Sequence, residues 1–487
     1  MRLILKILMV FVLTIAIVIP LMMIQGTISE RKFYRNEAIA AVARSKAGVQ
    51  GLSGPVLVVP WTETVEVEEK NKDGEVVRRV KRDGESGQWV YFPAQLDVRG
   101  KIQPEFLLRG LHQVRVYDAD LKTSAAFRVE IPVDANPELP RKFGQPWLVY
   151  GIRDVRGLAG LPKLTIDGIE TGLERGLGNR DASGVHARLP IPRAGQVLSP
   201  KVEFAFSLEG MESLAVAPLG ERNTVVIESP WPHPQFNGDF SPRKREISAD
   251  GFRAEWEESA LASNAQAQYL AGRILPAVEG DAAAYSGGRS PAQGESEAIG
   301  VSLVEPVNVY SMADRATKYG ILFVLLTFVG FFMFETIKRL RIHPIQYGLV
   351  GLALAIFFLL LVALSEHIDF GVSYLSASVA CIGLLGYYVS HVLHSWWRGL
   401  GFAAMLGTLY AALYGLLISE DAAMVLGAGL LFLVLAAIMV VTRKVDWYAV
   451  GAYMSEPPAR RSGPQPPPMP PMPPPAQPTA PAQPMPA

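Results

Sequence analysis

The chain has 487 residues, 46 Lys and Arg against 46 Asp and Glu, 49% hydrophobic residues and a single cysteine. At about 100 to 200 residues per domain there is room for several domains, and the balanced charge excludes a basic nucleic-acid binder. A mean hydropathy of +0.21 beside 19% charged residues arises because the two kinds of residue are segregated along the chain, as in a membrane protein with a large soluble part.

The first apolar block covers residues 7–24, with Arg2 and Lys6 before it. No small-residue cleavage site follows, so it reads as an uncleaved signal anchor rather than a signal peptide. Residues 30–46 keep a helix-forming composition and extend that helix beyond the membrane. Apolar blocks resume at 319–337, 345–365, 370–389, 399–419 and 422–442. Each is near the roughly 20 residues that cross a bilayer as a helix. The expectation is a bundle of six transmembrane helices.

Short loops set the orientation, because Lys and Arg are retained on the cytoplasmic side. Lys338, Arg339, Arg341, Arg398, Arg443 and Lys444 fall on one side, while the loops holding Glu366, His367 and Asp369 or Glu420 and Asp421 carry no Lys or Arg. Both termini are therefore expected inside and residues 28–312 in the periplasm. The resulting division is an anchor at 1–27, a periplasmic domain at 28–312, a five-helix transmembrane bundle at 313–448, and a proline-rich cytoplasmic tail at 449–487 without any apolar period.

Within the large loop, Val56-Leu57-Val58-Val59 reads as a buried strand. Asp73-Gly74 then reads as a hairpin turn. Pairing across it sets Glu69 opposite Arg78, Glu68 opposite Arg79, Val67 opposite Val80 and Glu66 opposite Lys81, each charged pair of opposite sign. Further strands are expected at 89–92, 96–98, 113–117, 125–131, 147–152, 164–166, 202–208, 225–227 and 252–256. Many short strands without a long amphipathic helix predict an all-β or β-rich ectodomain of sandwich-like units. Residues 96–100 and 164–168 resemble one another and raise a duplication as one option. The only cysteine, Cys381, lies in a membrane block, so the ectodomain has no disulfide and is held by burial.

Candidate functional residues follow from charge and position. Ser311 and Asp314 suggest a capping box for the second membrane helix, with Arg315 and Lys318 placed to meet lipid phosphates. Glu335 sits at the inner end of that helix, within reach of Lys338 or Arg339. His343 precedes Pro344 as a helix start. Glu366 and His367 lie at the outer end of the third helix. His391 and His394 suggest two imidazoles on one helical face beside Trp396 and Trp397. Trp231 and His233 stand in a Trp-Pro-His-Pro turn with Asp239 six residues on, a packed loop far more often than a metal or acid-base site. His-Glu-x-x-His, phosphate-cradling glycine loops and a serine elbow are missing from the sequence, so the expectation is no enzyme and no cofactor. Ala403, Gly407, Ala411 and Gly415 form a small-residue stripe that suits packing within the bundle or a homo-oligomer.

Arg315-Ala316-Thr317-Lys318-Tyr319, Phe334-Glu335-Thr336, His343-Pro344-x-Gln346-Tyr347 and Leu364-Ser365-Glu366-His367 resemble the membrane half of the CreD inner-membrane proteins. Trp231-Pro232-His233-Pro234, Gly238-Asp239-Phe240, Arg243-x-Arg245-Glu246, Gly54-Pro55 and Arg31-x-x-Tyr34-Arg35 are similar to the soluble half of that family. The resemblance covers residues 28–448 and leaves the proline-rich tail outside. It implies a Gram-negative inner-membrane protein supporting envelope integrity and tolerance of certain colicins, of the CreBC-regulon type, with no established catalysis. Expected partners are membrane lipid and a periplasmic or inner-membrane protein. The competing class is a transporter or channel for an envelope component, and an envelope-modifying enzyme with an unrecognised site ranks third.

Overall fold

The computed structural model describes residues 2–443 apart from 71–75, 111, 135, 137, 179–182, 277–294, 305–308, 338–341, 393–394 and 420–422. The Asp73-Gly74 turn, the partners Lys338 and Arg339, His394 and the proline-rich tail lie outside the described residues. Contacts divide the chain into two units, one of residues 20–320 and 355–381, the other of 1–19, 321–354 and 382–487.

Helix α1, Arg2–Ser45, is 44 residues long. At 1.5 Å per residue that is about 66 Å, roughly twice the hydrocarbon thickness, so the helix both crosses and projects. Most of the strands after it form two large sheets, while Val129–Glu130 and Val197–Leu198 pair apart from both. The first is built around β1 (Gln50–Lys70), which pairs with β2 (Val76–Tyr91) and β5 (Trp147–Ile152) and lies parallel to β10 (Ser213–Val216). Strand β8 (Gly184–Arg188) adds to β5, while β15 (Ile299–Leu303) and β12 (Pro234–Gly238) add to β10.

The second sheet has the order β13 (Lys244–Ser248), β14 (Gly251–Ser259), β11 (Arg222–Ser229), β3 (Gln95–Arg109), β4 (His112–Ala126), β9 (Lys201–Met211), β6 (Leu158–Ile166), β7 (Ile169–Thr171). Strand alternation turns Leu57 and Val59 of β1, Tyr150 of β5 and Val301 of β15 against Leu96 and Val98 of β3, Phe204 and Phe206 of β9 and Trp256 of β14, in one buried core. The β-rich expectation therefore holds as two sheets packed face to face. Every strand expected from sequence lies in or overlaps one, but the leading four run to 15 residues or more. The hairpin register is the one the charges dictate, with Glu68 and Glu69 opposite Arg79 and Arg78. The stretches 96–100 and 164–168 share one sheet in different settings: Gly100 is inside β3, whereas Gly168 is in the turn after β6 at φ 80°. At Gly54, φ is 103° and an added Cβ would lie 2.6 Å from the Val149 carbonyl oxygen, so β5 approaches β1 too closely for a side chain there.

After the short helix α2 (Ala265–Leu270) come α3 (Val309–Ile337), α4 (Pro344–Ser365), α5 (Phe370–Val392), α6 (Trp396–Ile418) and α7 (Ala423–Thr442). Among the described residues five helices, α1 and α3 to α6, are long and apolar enough to cross a membrane, and α7 supplies a shorter apolar stretch, Val425–Val440. Small residues allow the helices of the second unit to approach. A Cβ on Gly351 of α4 would stand 2.7 Å from Phe328 and 2.8 Å from Ile17, and one on Gly386 of α5 would stand 3.1 Å from Ala403. The small-residue stripe of α6 is not one continuous contact face. Ala403 and Gly407 are half-buried, with Gly386 and Ile382 as neighbours, whereas Ala411 and Gly415 are exposed.

Candidate membrane-interface site

Three helix ends, the middle of α1 and one sheet hairpin converge in the unit that carries the sandwich. Arg31 of α1 pairs with Glu366 just beyond α4, Nε to Oε1 3.4 Å. Asp314 of α3 takes Lys318 at 2.9 Å and Lys32 of α1 at 3.6 Å. The turn after α4 is closed by Leu364, whose carbonyl accepts from the N–H groups of His367 and Ile368. Asp369 then opens α5 by accepting from Gly371 N–H at 2.8 Å. This ionic belt ties the second half of α1 to α3 and to the end of α4. Lys318 spends its charge on Asp314, and α3 begins at Val309, two residues before Ser311, so the expected capping box is instead part of the helix body. His367 is exposed and Arg315 half-buried.

Above the belt, α1 is built into the sandwich. Ala38, Ile39 and Val42 are buried with Val49, Val114, Val116, Met211, Ala215 and Ala298. The helix ends under Arg156, which donates from Nη1 to the Arg44 carbonyl at 2.8 Å and from Nη2 to the Ala43 carbonyl at 3.2 Å. A guanidinium there satisfies terminal carbonyls and complements the helix dipole. Asp154 holds Arg156 through Oδ1 to Nε at 2.9 Å and accepts from the Gly48 N–H at 3.3 Å. Burial works against its carboxylate, but the Arg156 guanidinium and the Gly48 and Arg156 N–H groups outweigh that and hold the carboxyl below its usual range. Gln50, fully buried, bridges the Asp154 and Glu209 carbonyls from Nε2 at 3.0 and 2.9 Å. Nothing in the sequence marks Arg156, Asp154 or Gln50, because the contact joins positions more than 100 residues apart.

The tip of the β3–β4 hairpin reaches the same level. Burial holds His112 below the usual histidine range; Glu366 opposes that, while Arg35 and Arg31 add to it. Higher on this hairpin the buried Arg115 stacks its guanidinium 4.4 Å from the Trp231 ring centroid. Trp231 donates Nε1–H to the carbonyls of His233 at 3.1 Å and Val304 at 3.0 Å. His233 itself is exposed, its ring edge-on to Trp231 at 6.3 Å. Asp239 exchanges two bonds with Ala298, Oδ2 accepting at 2.8 Å and N–H donating at 2.8 Å, which fixes the end of β12 beside β15. Trp231, His233 and Asp239 thus brace strand ends, and no group of three or more metal-ligating side chains occurs among the described residues.

In the other unit Glu335 is fully buried. Its Oε2 accepts from the Tyr347 hydroxyl at 2.8 Å and its Oε1 from the Ile342 N–H at 3.0 Å, so it fastens α3 to the start of α4. Phe331 and Phe328 pack on the Tyr347 ring at 4.8 and 5.8 Å. His343 caps α4 as its position before Pro344 predicts: Nδ1 accepts from Ile345 N–H at 3.3 Å, and Gln346 reaches back to the His343 N–H at 3.0 Å. Tyr347 is the partner that sequence reasoning missed, although it stands in the same His-Pro-x-Gln-Tyr run. His391 turns back on its own helix, Nδ1 3.0 Å from the Tyr387 carbonyl oxygen, and α5 stops at Val392.

Comparison with known proteins fits this architecture. The family model described as inner membrane protein CreD matches residues 2–448. The chain belongs to the CreD family. It is 36% identical over 438 residues to the inner membrane protein CreD of Escherichia coli strain K12, covering 89% of this chain and 91% of that one. It is thus a multi-pass inner-membrane protein of that family. Among solved structures, an M1 zinc metallopeptidase from Deinococcus radiodurans matches 34% of this chain and 38% of its own at 10% identity and a TM-score of 0.19. Leukotriene A4 hydrolase from Saccharomyces cerevisiae matches 34% and 26% at 9% identity and a TM-score of 0.18. Likeness at that level transfers no chemistry.

Proposed function

We propose that this CreD-family chain supports cell envelope integrity without catalysis, by holding its β-sandwich in the periplasm, both termini in the cytoplasm, against envelope protein or lipid. The observation that supports this is the joint at the end of α1. The helix passes from membrane into sandwich without a break, buries Ile39 and Val42 there and ends under Arg156. Such a joint fixes the height of the module above the bilayer and transmits a load between the two. Colicin tolerance belongs to the same role, a change in what the outer surface of the module touches.

The test is photo-crosslinking in living cells from exposed sandwich positions. Capture of envelope proteins or lipids is expected, together with loss of the envelope phenotype on deleting residues 28–310. A reporter fused near residue 200 that works only in the cytosol refutes the orientation. Burial of Glu335 favours one competing reading, a carrier or channel, since a carboxylate among membrane helices is costly and marks ion pathways. Flux into liposomes that disappears in Glu335→Gln, with the envelope phenotype lost in parallel, supports that reading over the contact role.

A further inference from the structure

The β3–β4 hairpin carries apolar surface that the sandwich does not use. One face is occupied, because Leu107, Val114 and Val116 pack with Ile39 and Val42 on α1. Alternation along the strand turns Phe106 and Leu108 to the other face. Phe106 is 48% exposed and Leu108 75% exposed. The exposed Phe106 is held in place, its ring 6.1 Å from Trp231, with the Arg115 guanidinium stacked between strand and loop.

The level of this surface is set by its neighbours. Arg109, exposed, is paired in register with His112 at the tip. His112 lies within electrostatic reach of Glu366, Arg31 and Arg35. Glu366 directly follows Ser365, the last residue of a membrane-crossing helix. At the same height α1 exposes Phe33 and Tyr34, an aromatic pair of the kind that lines bilayer interfaces. Two large apolar side chains one and three residues from the exposed Arg109 therefore stand where α4 leaves the hydrocarbon.

We infer that the tip of the β3–β4 hairpin is seated in the bilayer, with Phe106 and Leu108 at the boundary of headgroups and acyl chains and Arg109 at the lipid phosphates. The occupant of this face is the leaflet in which the helices end, continuous with the surface that already surrounds them. The sandwich then has two attachments to the bilayer, the rigid joint to α1 and a wedge beside it. The inference depends on the helices being in a bilayer and holds or fails irrespective of any envelope partner.

The sheet supplies its own control. Strand β4 runs 15 residues from His112 to Ala126, about 50 Å at 3.4 Å per residue. Ile169 pairs with Ile166, which pairs with Val202, which pairs with Ala125, so this exposed isoleucine marks the far end of the same sheet. Leu108→Cys, Phe106→Cys and Ile169→Cys, each labelled with an environment-sensitive fluorophore, are placed in phosphatidylethanolamine–phosphatidylglycerol vesicles. The unaltered chain, whose Cys381 is buried, serves as the blank. The expected result is a blue-shifted emission at 108 and 106 that is lost to lipids spin-labelled high on the acyl chain and protected from aqueous iodide, with the reverse at 169. Equal behaviour of 108 and 169, whichever quencher acts, overturns the inference.

Discussion

Ile39 is the residue through which the joint between α1 and the sandwich is most directly measured. It is 1% exposed, buried with Ala38 and Val42 against the sandwich. Ile39→Ala removes three buried carbons at roughly 0.8 kcal/mol each, about 2.4 kcal/mol of lost transfer energy. The space left behind raises the cost to about 3 to 4 kcal/mol. In a cooperative unit of this size each kcal/mol moves the melting temperature by about 2 to 4 °C, so a fall of about 6 to 16 °C is expected. Phe33→Ala on the same helix is the control, because Phe33 is 65% exposed and truncation there costs less than about 1 kcal/mol. Both are read by near-ultraviolet circular dichroism during heating of the detergent-solubilised protein. Equal shifts for the two variants refute the reasoning, since they mean that α1 melts independently of the module and transmits nothing to it.

Tyr117 and Tyr150 are buried in the sandwich, and burial raises both phenols well above the ordinary tyrosine range. The folded state therefore favours the protonated phenols, an advantage fully present below the unfolded pKa near 10 and lost as pH rises past it. Melting temperature should fall between pH 9 and 11, and less steeply in Tyr117→Phe, whose hydroxyl otherwise donates to the Ser213 carbonyl at 2.8 Å. Glu335→Ala takes the acceptor from both the Tyr347 hydroxyl and the Ile342 N–H, at about 1 to 3 kcal/mol each. Tyr347→Phe should cost only one such bond, and heat-resistance assays that rank the two equally contradict the geometry. For the ionic belt, Arg31→Glu sets two carboxylates together and Glu366→Arg two cations, while the double exchange restores the pair. A double-mutant cycle should give a coupling of up to about 1 kcal/mol, and a coupling of zero removes the belt from the account.

Much of the architecture is written in local pattern. Hydrophobic run length specifies the helices, because a bilayer accepts only segments that satisfy their own backbone hydrogen bonds. Opposite charges flanking residues 71–75 specify the β1–β2 register, and Pro344 after His343 specifies the start of α4. These signals act between residues close in sequence, so one chain suffices to read them. The capping box expected at Ser311 and Asp314 gives way to a place within α3, and Lys318, expected at lipid phosphates, pairs with Asp314. Lys318 has a neighbour one turn away, whereas the partners of Glu335 were decided by how α3 meets α4.

What only the tertiary structure decided is the joint and the site around it. Arg156 meets the carbonyls of Ala43 and Arg44 across more than 100 residues, Gln50 bridges Asp154 and Glu209, and the β3–β4 hairpin lies along α1. None of these residues carries a distinguishing local signal, since an arginine in a helical turn or a glutamine on a strand reads as solvated surface until another element covers it. The sequence by itself determined which segments enter the membrane and which fold as strands, through periodicity and length. Long-range packing determined which polar groups face one another, because desolvation and helix-end satisfaction act only once distant segments have been brought together.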